Sequence, residues 1–296
     1  MWQFLLELKN ILLAEVGYIV LFFVPPAAVV FTFHRRYRRD KAEAESPFDE
    51  IRRRPAGESA RLEIERLTDK TDPWLMMLVV IPALLAVSWS LAKQTLTGTI
   101  VIFLFCASAA AFVQWKLTPL VKRRAAFRLG YHGERYVAEE LNQLMADGFK
   151  VFHDVPFETH NVDHVVAGPS GVFAIETKTK RKKIHHGPER YVVVFTGERL
   201  EFPGGWNVAW LDQARLNART LSQWLRSSSA EPVNAEPILT IPGWWIEPKG
   251  TAKDIRVLNP KQILGVVRSV PQNVLNPEQI QRIAHQLEER CKMKID

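Results

Sequence analysis

Two cysteines in 296 residues are too few to staple a fold, and Cys106 and Cys291 sit in no CxxC or zinc-finger spacing. A disulfide scaffold and a structural zinc site are thereby excluded, leaving two free thiols. Glycine-rich phosphate loops, a Ser/His/Asp arrangement and internal repeats are absent as well, which removes the common nucleotide-loop, serine-hydrolase and solenoid classes. A charge excess is missing from the second half of the chain. Residues 1–129 carry 18 Lys/Arg against 12 Asp/Glu and residues 130–296 carry 21 against 20, so the net charge of +7 divides into +6 and +1. The basic excess lies beside apolar segments, where it sets membrane orientation better than it explains nucleic-acid binding.

Long apolar runs are present. Residues 11–33 hold one charge, Glu15, and residues 74–92 and 97–115 hold none. Each is long enough to cross about 30 Å of hydrocarbon as a helix. Buried helices of soluble proteins seldom stay uncharged for so long. A cleaved signal peptide fits the first run poorly, because its leading segment is not basic and Arg-rich sequence follows it directly. Pro25–Pro26 should kink that run, and Trp2, Trp74 and Trp115 fall where indole rings favour the bilayer surface. No run has a charge at its centre, so nothing suggests transport.

The flanks give an orientation. Residues 34–72 hold 11 Lys/Arg, including Arg35, Arg36, Arg38, Arg39 and Arg52–Arg54, and Lys116, Lys122, Arg123, Arg124 and Arg128 follow the third run. The N-terminus and the hairpin between runs two and three have only Lys9 and Lys93. The positive-inside tendency then places the N-terminus outside and the C-terminal half in the cytoplasm, at the cytoplasmic (inner) membrane. The expected division is a membrane anchor over 1–124, with a basic loop at 34–73, and a cytoplasmic α/β domain over 125–296. In the loop, residues 60–68 predict a short surface helix with Leu62 and Leu67 inward, and no chemistry is assigned there.

In the second half, residues 130–147 predict a helix that begins at Gly130. Val137, Leu141, Leu144 and Met145 recur on one stripe, with Glu134 on the same inward side. A carboxylate in a first turn is favoured by the helix dipole, which is one account of Glu134. The richest stretch is NVDHVVAGPSGVFAIETK, residues 161–178. Two strand-forming runs flank Gly168-Pro169-Ser170-Gly171, a turn by composition. A two-residue loop at Pro169-Ser170 sets Asp163 directly across from Glu176. Alternation puts Asn161, Asp163, Val165, Ala167, Val172, Ala174, Glu176 and Lys178 on one face. Val162, His164, Val166, Phe173, Ile175 and Thr177 fall on the other. Opposed carboxylates must share a proton, find a cation or repel. Lys178 supplies one positive charge, and a hard divalent ion such as Mg²⁺ or Mn²⁺ would supply the rest. Two acids and a lysine at a strand end suit phosphodiester hydrolysis, though they also suit a structural ion-pair cluster.

Gly133-Glu134, His153-Asp154-Val155, Asn161-Val162-Asp163-His164 and Gly171-Val172-Phe173-Ala174-Ile175-Glu176-Thr177-Lys178 resemble the NERD (nuclease-related) domain, over roughly residues 125–225. That family is placed in the PD-(D/E)xK nuclease superfamily, so the resemblance implies a restriction-endonuclease-like mixed sheet flanked by helices. It also implies that Asp163 and Glu176 bind metal, that Lys178 is the catalytic lysine and that Glu134 assists metal binding. Gln213, near the start of a helix predicted over 209–225, resembles a glutamine that several superfamily exonucleases place beside the metal. Where some of those carry Tyr four residues later, this chain has Asn217. DNA is the implied substrate, with RNA as a variant. The competing expectation is a membrane scaffold or sensor that keeps the fold to bind nucleic acid or protein.

Lys180, Arg181, Lys182 and Lys183 extend the strand as a basic run that would attract backbone phosphates. His185-His186 and the His160/His164 pair lack cysteine partners for zinc, and His164 points away from Asp163. Trp206, Trp210, Trp224, Trp244 and Trp245 are expected to pack in the core or at its rim. Residues 191–195 and 238–241 predict strands, and residues 279–292 a closing amphipathic helix.

Overall fold

The computed structural model describes residues 28–29, 31–33, 35–36, 39, 51–91, 95–182, 191–229, 232–272 and 274–294. Most of the first apolar run, with Glu15 and Pro25–Pro26, lies outside the described residues, as do Trp2, Arg38, Lys183 and His185–His186. The chain divides into two units, Met1–Glu50 with Leu75–Val113, and Ile51–Trp74 with Gln114–Asp296.

The second and third apolar runs are helical. They belong to α1 (Glu58–Leu91) and α2 (Leu96–Asn142), both long and apolar enough to cross a membrane. Their large apolar side chains stand bare, among them Met76, Val79, Phe103 and Leu104. Leu67 is buried as expected, whereas Leu62 is exposed, because α1 turns only one stripe of this segment inward.

One prediction fails here. No helix starts at Gly130, since α2 already runs unbroken from Leu96 through Pro119 to Asn142. Between Trp115 and Gly130 the residues are mostly strong helix formers, and a single proline removes one hydrogen bond without stopping the helix. Glu134 therefore stands about ten turns from its helix N-terminus, too far for the dipole to explain it. A 3-10 turn, Gln143–Asp147, then ends at Gly148 in the left-handed conformation.

The second unit is a mixed sheet flanked by helices. Five strands take the order β10-β8-β4-β3-β2, where β2 is Lys150–Pro156, β3 Asn161–Gly168, β4 Gly171–Thr177, β8 Ala235–Thr240 and β10 Arg256–Leu258. The hairpin strands pair antiparallel, while β4 with β8 and β8 with β10 pair parallel. Gly168 faces Gly171 and His164 faces Ile175, the register that the turn composition predicts.

Alternation sorts the core. Val165, Ala167, Val172 and Ala174 pack under α3 (Ala209–Ser228) and α5 (Pro277–Cys291), with Leu221, Leu225, Ile283 and Leu287. Val166, Phe173 and Ile175 pack on the other face against Val137 and Leu141 of α2 and Ile263 of α4 (Pro260–Ser269). Val162 breaks the predicted alternation. It joins the first cluster with Val165, and across the ladder Val155 joins it with Phe152. Both strands change phase at the Asp154–Asp163 level, where Asp154 takes φ 48° and the ladder skips a pair.

Helices α4 and α5 begin identically in chemistry, at Asn259-Pro260 and Asn276-Pro277. Each asparagine caps the helix, proline occupies the first turn, and Gln262 or Gln279 closes the capping box. A second sheet, order β7-β6-β5-β9, covers the N-terminal end of α3 with Val193, Phe195, Leu200, Phe202 and Ile246. Its strands are β5 Val192–Phe195, β6 Leu200–Phe202, β7 Gly205–Asn207 and β9 Trp245–Pro248. Trp244 is buried, and Trp210 and Trp224 pack at cluster edges. Trp206 and Trp245 depart from expectation at 67 % and 65 % exposed, because the pleat turns both outward on the uncovered face. The last strand, β11 (Lys292–Lys294), pairs antiparallel with β1 (Ile51–Arg53).

Candidate active site

At the C-terminal end of β4 the main sheet runs out of apolar residues. Glu176 is buried there at 3 % exposure, among neighbours chosen by β3, α2 and α3. Its Oε1 takes the Lys178 ammonium at 2.6 Å, and its Oε2 accepts the Asn217 Nδ2–H at 2.5 Å. Asn217 is itself buried and accepts from Gln213 Nε2 at 2.8 Å. Gln213 and Asn217 lie one turn apart on α3, so a single stripe of that helix delivers a relay of amides to the carboxylate. Lys178 continues the ladder beyond β4, its N–H donating to Thr240 O at 2.9 Å.

Asp163 stands one position beyond the last pair of the β3–β4 ladder. Its Oδ2 accepts the Thr177 N–H at 2.7 Å, taking the place of a strand carbonyl. Glu134 arrives from α2 on the opposite layer. Gly133 makes that approach possible, since a Cβ there would come within 2.1 Å of Thr179 Cγ2.

The electrostatics are unbalanced. Burial pushes the Asp163 carboxyl well above the usual carboxylate range, and the charges of Glu176 and Glu134 push it further. Glu134 rises to about 7 through burial, then through the charges of Asp154 and Glu176. Burial also raises Glu176, against the pull of Lys178. For Lys178, burial works to lower the value, but the Glu176 carboxylate overrides it and the net direction is up. Three acids thus crowd one ammonium.

These features arise within a stretch that a comparison also singles out. Residues 129–242 match the NERD family, the nuclease-related domain. Neither the curated proteins nor the solved structures contain a match to the chain. The NERD match points this region to nuclease-related function, and it contains Glu134, Asp163, Glu176, Lys178, Gln213 and Asn217.

Nuclease-related domains usually work with divalent metals. The donor set here fits such an ion in kind: hard carboxylate oxygens, strongly buried and short of positive charge. The side-chain positions are not those of a finished cage. Among the described residues no group of three or more His, Cys, Asp or Glu is set to hold a metal ion as it stands, and Glu176 is engaged by Lys178 and Asn217.

Two other residues, Asp154 of the quoted motif and His160, which was weighed only for zinc, also act on the acids. His160 Nε2 is buried without a hydrogen-bond partner, and His160 works to lower the Glu176 value. Asp154, buried at 2 %, acts on Glu134. His164, by contrast, leaves the site. Its Nδ1 lies 2.9 Å from His153 Nδ1 on the α2 side, and burial lowers the values of both rings, His153 to about 4. Lys180 and Lys182 rest over the Phe202 and Tyr191 rings at 4.1 and 4.2 Å, with Arg181 exposed between them.

Proposed function

We propose that this chain is a membrane-anchored, divalent-metal-dependent nuclease that hydrolyses DNA phosphodiester bonds on the cytoplasmic face. The observation that carries the reading is the charge imbalance at the end of β4, where Glu134, Asp163 and Glu176 share one lysine. Asp163, Glu176 and Glu134 would hold Mg²⁺ or Mn²⁺. Such an ion supplies Lewis-acid polarisation of a phosphoryl oxygen and lowers the pKa of water.

The protein's own groups do the rest. Lys178 is a fixed cation next to the acids and can neutralise charge that develops on the phosphate. Asn217, backed by Gln213, fixes the Glu176 carboxylate so that one oxygen keeps its direction. Asp163 is tied at one oxygen by the Thr177 N–H. Lys180, Arg181 and Lys182 continue the row of cations along which backbone phosphates would lie. Membrane attachment is supported by the bare apolar stretches of α1 and α2 and by the basic residues flanking them, which also support the orientation.

One observation favours a second reading. Each Glu176 oxygen already has a partner, Lys178 or Asn217, as in a scaffold that binds nucleic acid without cutting it. The deciding experiment incubates the full-length protein in detergent with plasmid, linear and single-stranded DNA, with and without Mg²⁺ or Mn²⁺. Ion-dependent cleavage that disappears in Asp163→Asn supports the nuclease. DNA retention without cleavage under every condition rejects it.

A further inference from the structure

The unit that holds the acids includes residues outside the family match. Strand β1 pairs with β11 from Ile51↔Lys294 to Arg53↔Lys292, and the Arg54 N–H donates to Cys291 O at 2.9 Å. The chain then turns at Gly57, φ 77°, into the first turn of α1. A Cβ at Gly57 would lie 2.7 Å from the Tyr131 ring and 3.6 Å from Glu134 Oε2, so the turn is seated directly beside one of the acids.

From this turn two residues reach Asp154. Arg54 donates to Oδ2 through Nε at 2.9 Å and Nη2 at 2.5 Å, and Nε also reaches the Asp154 carbonyl at 3.0 Å. Ser59 donates to the same oxygen through its backbone N–H and its hydroxyl, both at 3.0 Å. Asn161 completes the set, donating to Oδ1 at 3.0 Å. Arg54 and Asp154 are both largely shielded from water, with side chains 16 % and 4 % exposed.

Asp154 is the sole non-glycine described residue with positive φ. That conformation is costly for an L side chain and persists where surrounding contacts over-determine it. Here the contacts are Arg54, Ser59 and Asn161. Asp154 lies level with Asp163 on the neighbouring strand, between the formed pairs His153↔His164 and Val155↔Val162. The phase change of both strands occurs at this level, and it decides the direction in which Asp163 points.

We propose that residues 51–59 are a positioning strap for the candidate site, with Arg54 and Ser59 holding Asp154 in its left-handed conformation and thereby fixing Asp163 relative to Glu176. The inference rests on the nuclease reading only in taking Asp163 as a site residue. Arg54 is a positioning residue and touches none of the reacting atoms.

The test uses the full-length protein in detergent, comparing wild type with Arg54→Ala, Arg54→Lys and Ser59→Ala. Backbone hydrogen exchange is followed in peptides covering 150–165, with α4 and α5 as internal references, and DNA cleavage is resolved into kcat and KM. In Arg54→Ala, exchange over 150–165 should rise about tenfold while both reference helices hold. The kcat should fall at least tenfold with KM within twofold. Arg54→Lys keeps the charge but loses the fork, and should recover only part of both changes. Should Arg54→Ala fail to fold, Ser59→Ala, which keeps its backbone donor, should shift exchange and kcat in the same direction by a smaller factor. Unchanged exchange over 150–165, an even rise that includes α4 and α5, or undiminished kcat overturns the strap. A wild type that cuts nothing rejects the nuclease reading instead, and the exchange measurements still decide the strap.

Discussion

Asp154 and Asp163 stand level with each other on neighbouring strands, and their surroundings are opposites. Asp154 has a guanidinium, a hydroxyl, a backbone N–H and an amide around its two oxygens. Asp163 has one backbone N–H, and the charges of two further acids act on it more strongly than that of Lys178. A carboxylate with donors at both oxygens holds a fold together. One left short of positive charge raises the energy of the ionised protein, and that penalty is removed when a cation or a proton arrives. On the proposed reading the contrast separates a structural acid from a chemical one, although both are Asp at the same sheet level.

The sharpest way to break this contrast is to neutralise each acid in turn. Asp163→Asn should cut nuclease turnover by a factor of about 10³. The same change should raise stability by about 1 kcal/mol when divalent ions are chelated, because repulsion is relieved. Asp154→Asn should do the reverse and destabilise the protein by about 3 kcal/mol, since Arg54 is left shielded without its anion. Chemical denaturation with EDTA present, beside a cleavage assay with Mg²⁺, reads both. If the two variants shift stability in the same direction, the distinction between the acids is lost.

A smaller effect should appear in the pH dependence. Glu134 is raised from 4.5 to about 7. Its ionisation costs nothing below pH 4.5, becomes progressively unfavourable as pH rises, and reaches its full cost above about 7. The native state thus loses stability across that window as pH increases. Glu134→Gln cannot ionise, so it should match wild type at low pH and exceed it by about 1–2 kcal/mol above pH 7 without divalent ions, after discounting for solvent screening. Added Mg²⁺ should shrink this advantage. Melting curves at pH 4.5 and 8, with EDTA or Mg²⁺, measure it, and a constant offset at both pH values refutes the assignment.

Much of this contrast could be read from residue order, and the reasons are local. The Gly168–Gly171 turn sets the hairpin register, so the level at which Asp163 stands beside Glu176 followed from turn chemistry and pairing, while the direction of Asp163 did not. The helical stripe 137, 141, 144 was legible for the same reason, since periodicity is a local property, but Met145, expected on it, is exposed because the 3-10 turn from Gln143 ends the α-helical period. Asp154 was not legible, because its partners Arg54 and Ser59 lie about a hundred residues upstream in a segment that reads as solvated charge. The phase change that moves Val162 across the sheet depends on those distant bonds too. Asn217 was visible only as a departure from a family pattern, yet it binds Glu176 directly. The start of α2 was misplaced because a glycine and a following amphipathic stripe imitate a helix beginning when the preceding helix has no stop signal. The repeated Asn-Pro-x-Gln at 259 and 276 was a start signal left unread: α4 was not predicted, and α5 begins at Pro277, two residues before the expected start.

The smallest expected effect concerns how far the unbalanced region extends along the chain. Alternate residues of the segment leaving β4 carry ammoniums, Lys178, Lys180 and Lys182, and the rings of Phe202 and Tyr191 hold the last two in place. Lys178 is paired with Glu176, whereas Lys180 and Lys182 have no carboxylate within ion-pair distance among the described residues. If this row carries backbone phosphates, Lys180→Ala with Lys182→Ala should remove about two counterion-release contacts. The slope of log affinity against log salt for duplex DNA should then become less steep by roughly 1.8. Lost affinity near physiological salt should be about tenfold and equal for unrelated sequences, because phosphates carry no base identity. Fluorescence anisotropy with Ca²⁺ or EDTA in place of Mg²⁺ reports binding without turnover. An unchanged slope would confine the functional charge to Lys178 and the three acids, and would return the basic run to ordinary solvated surface.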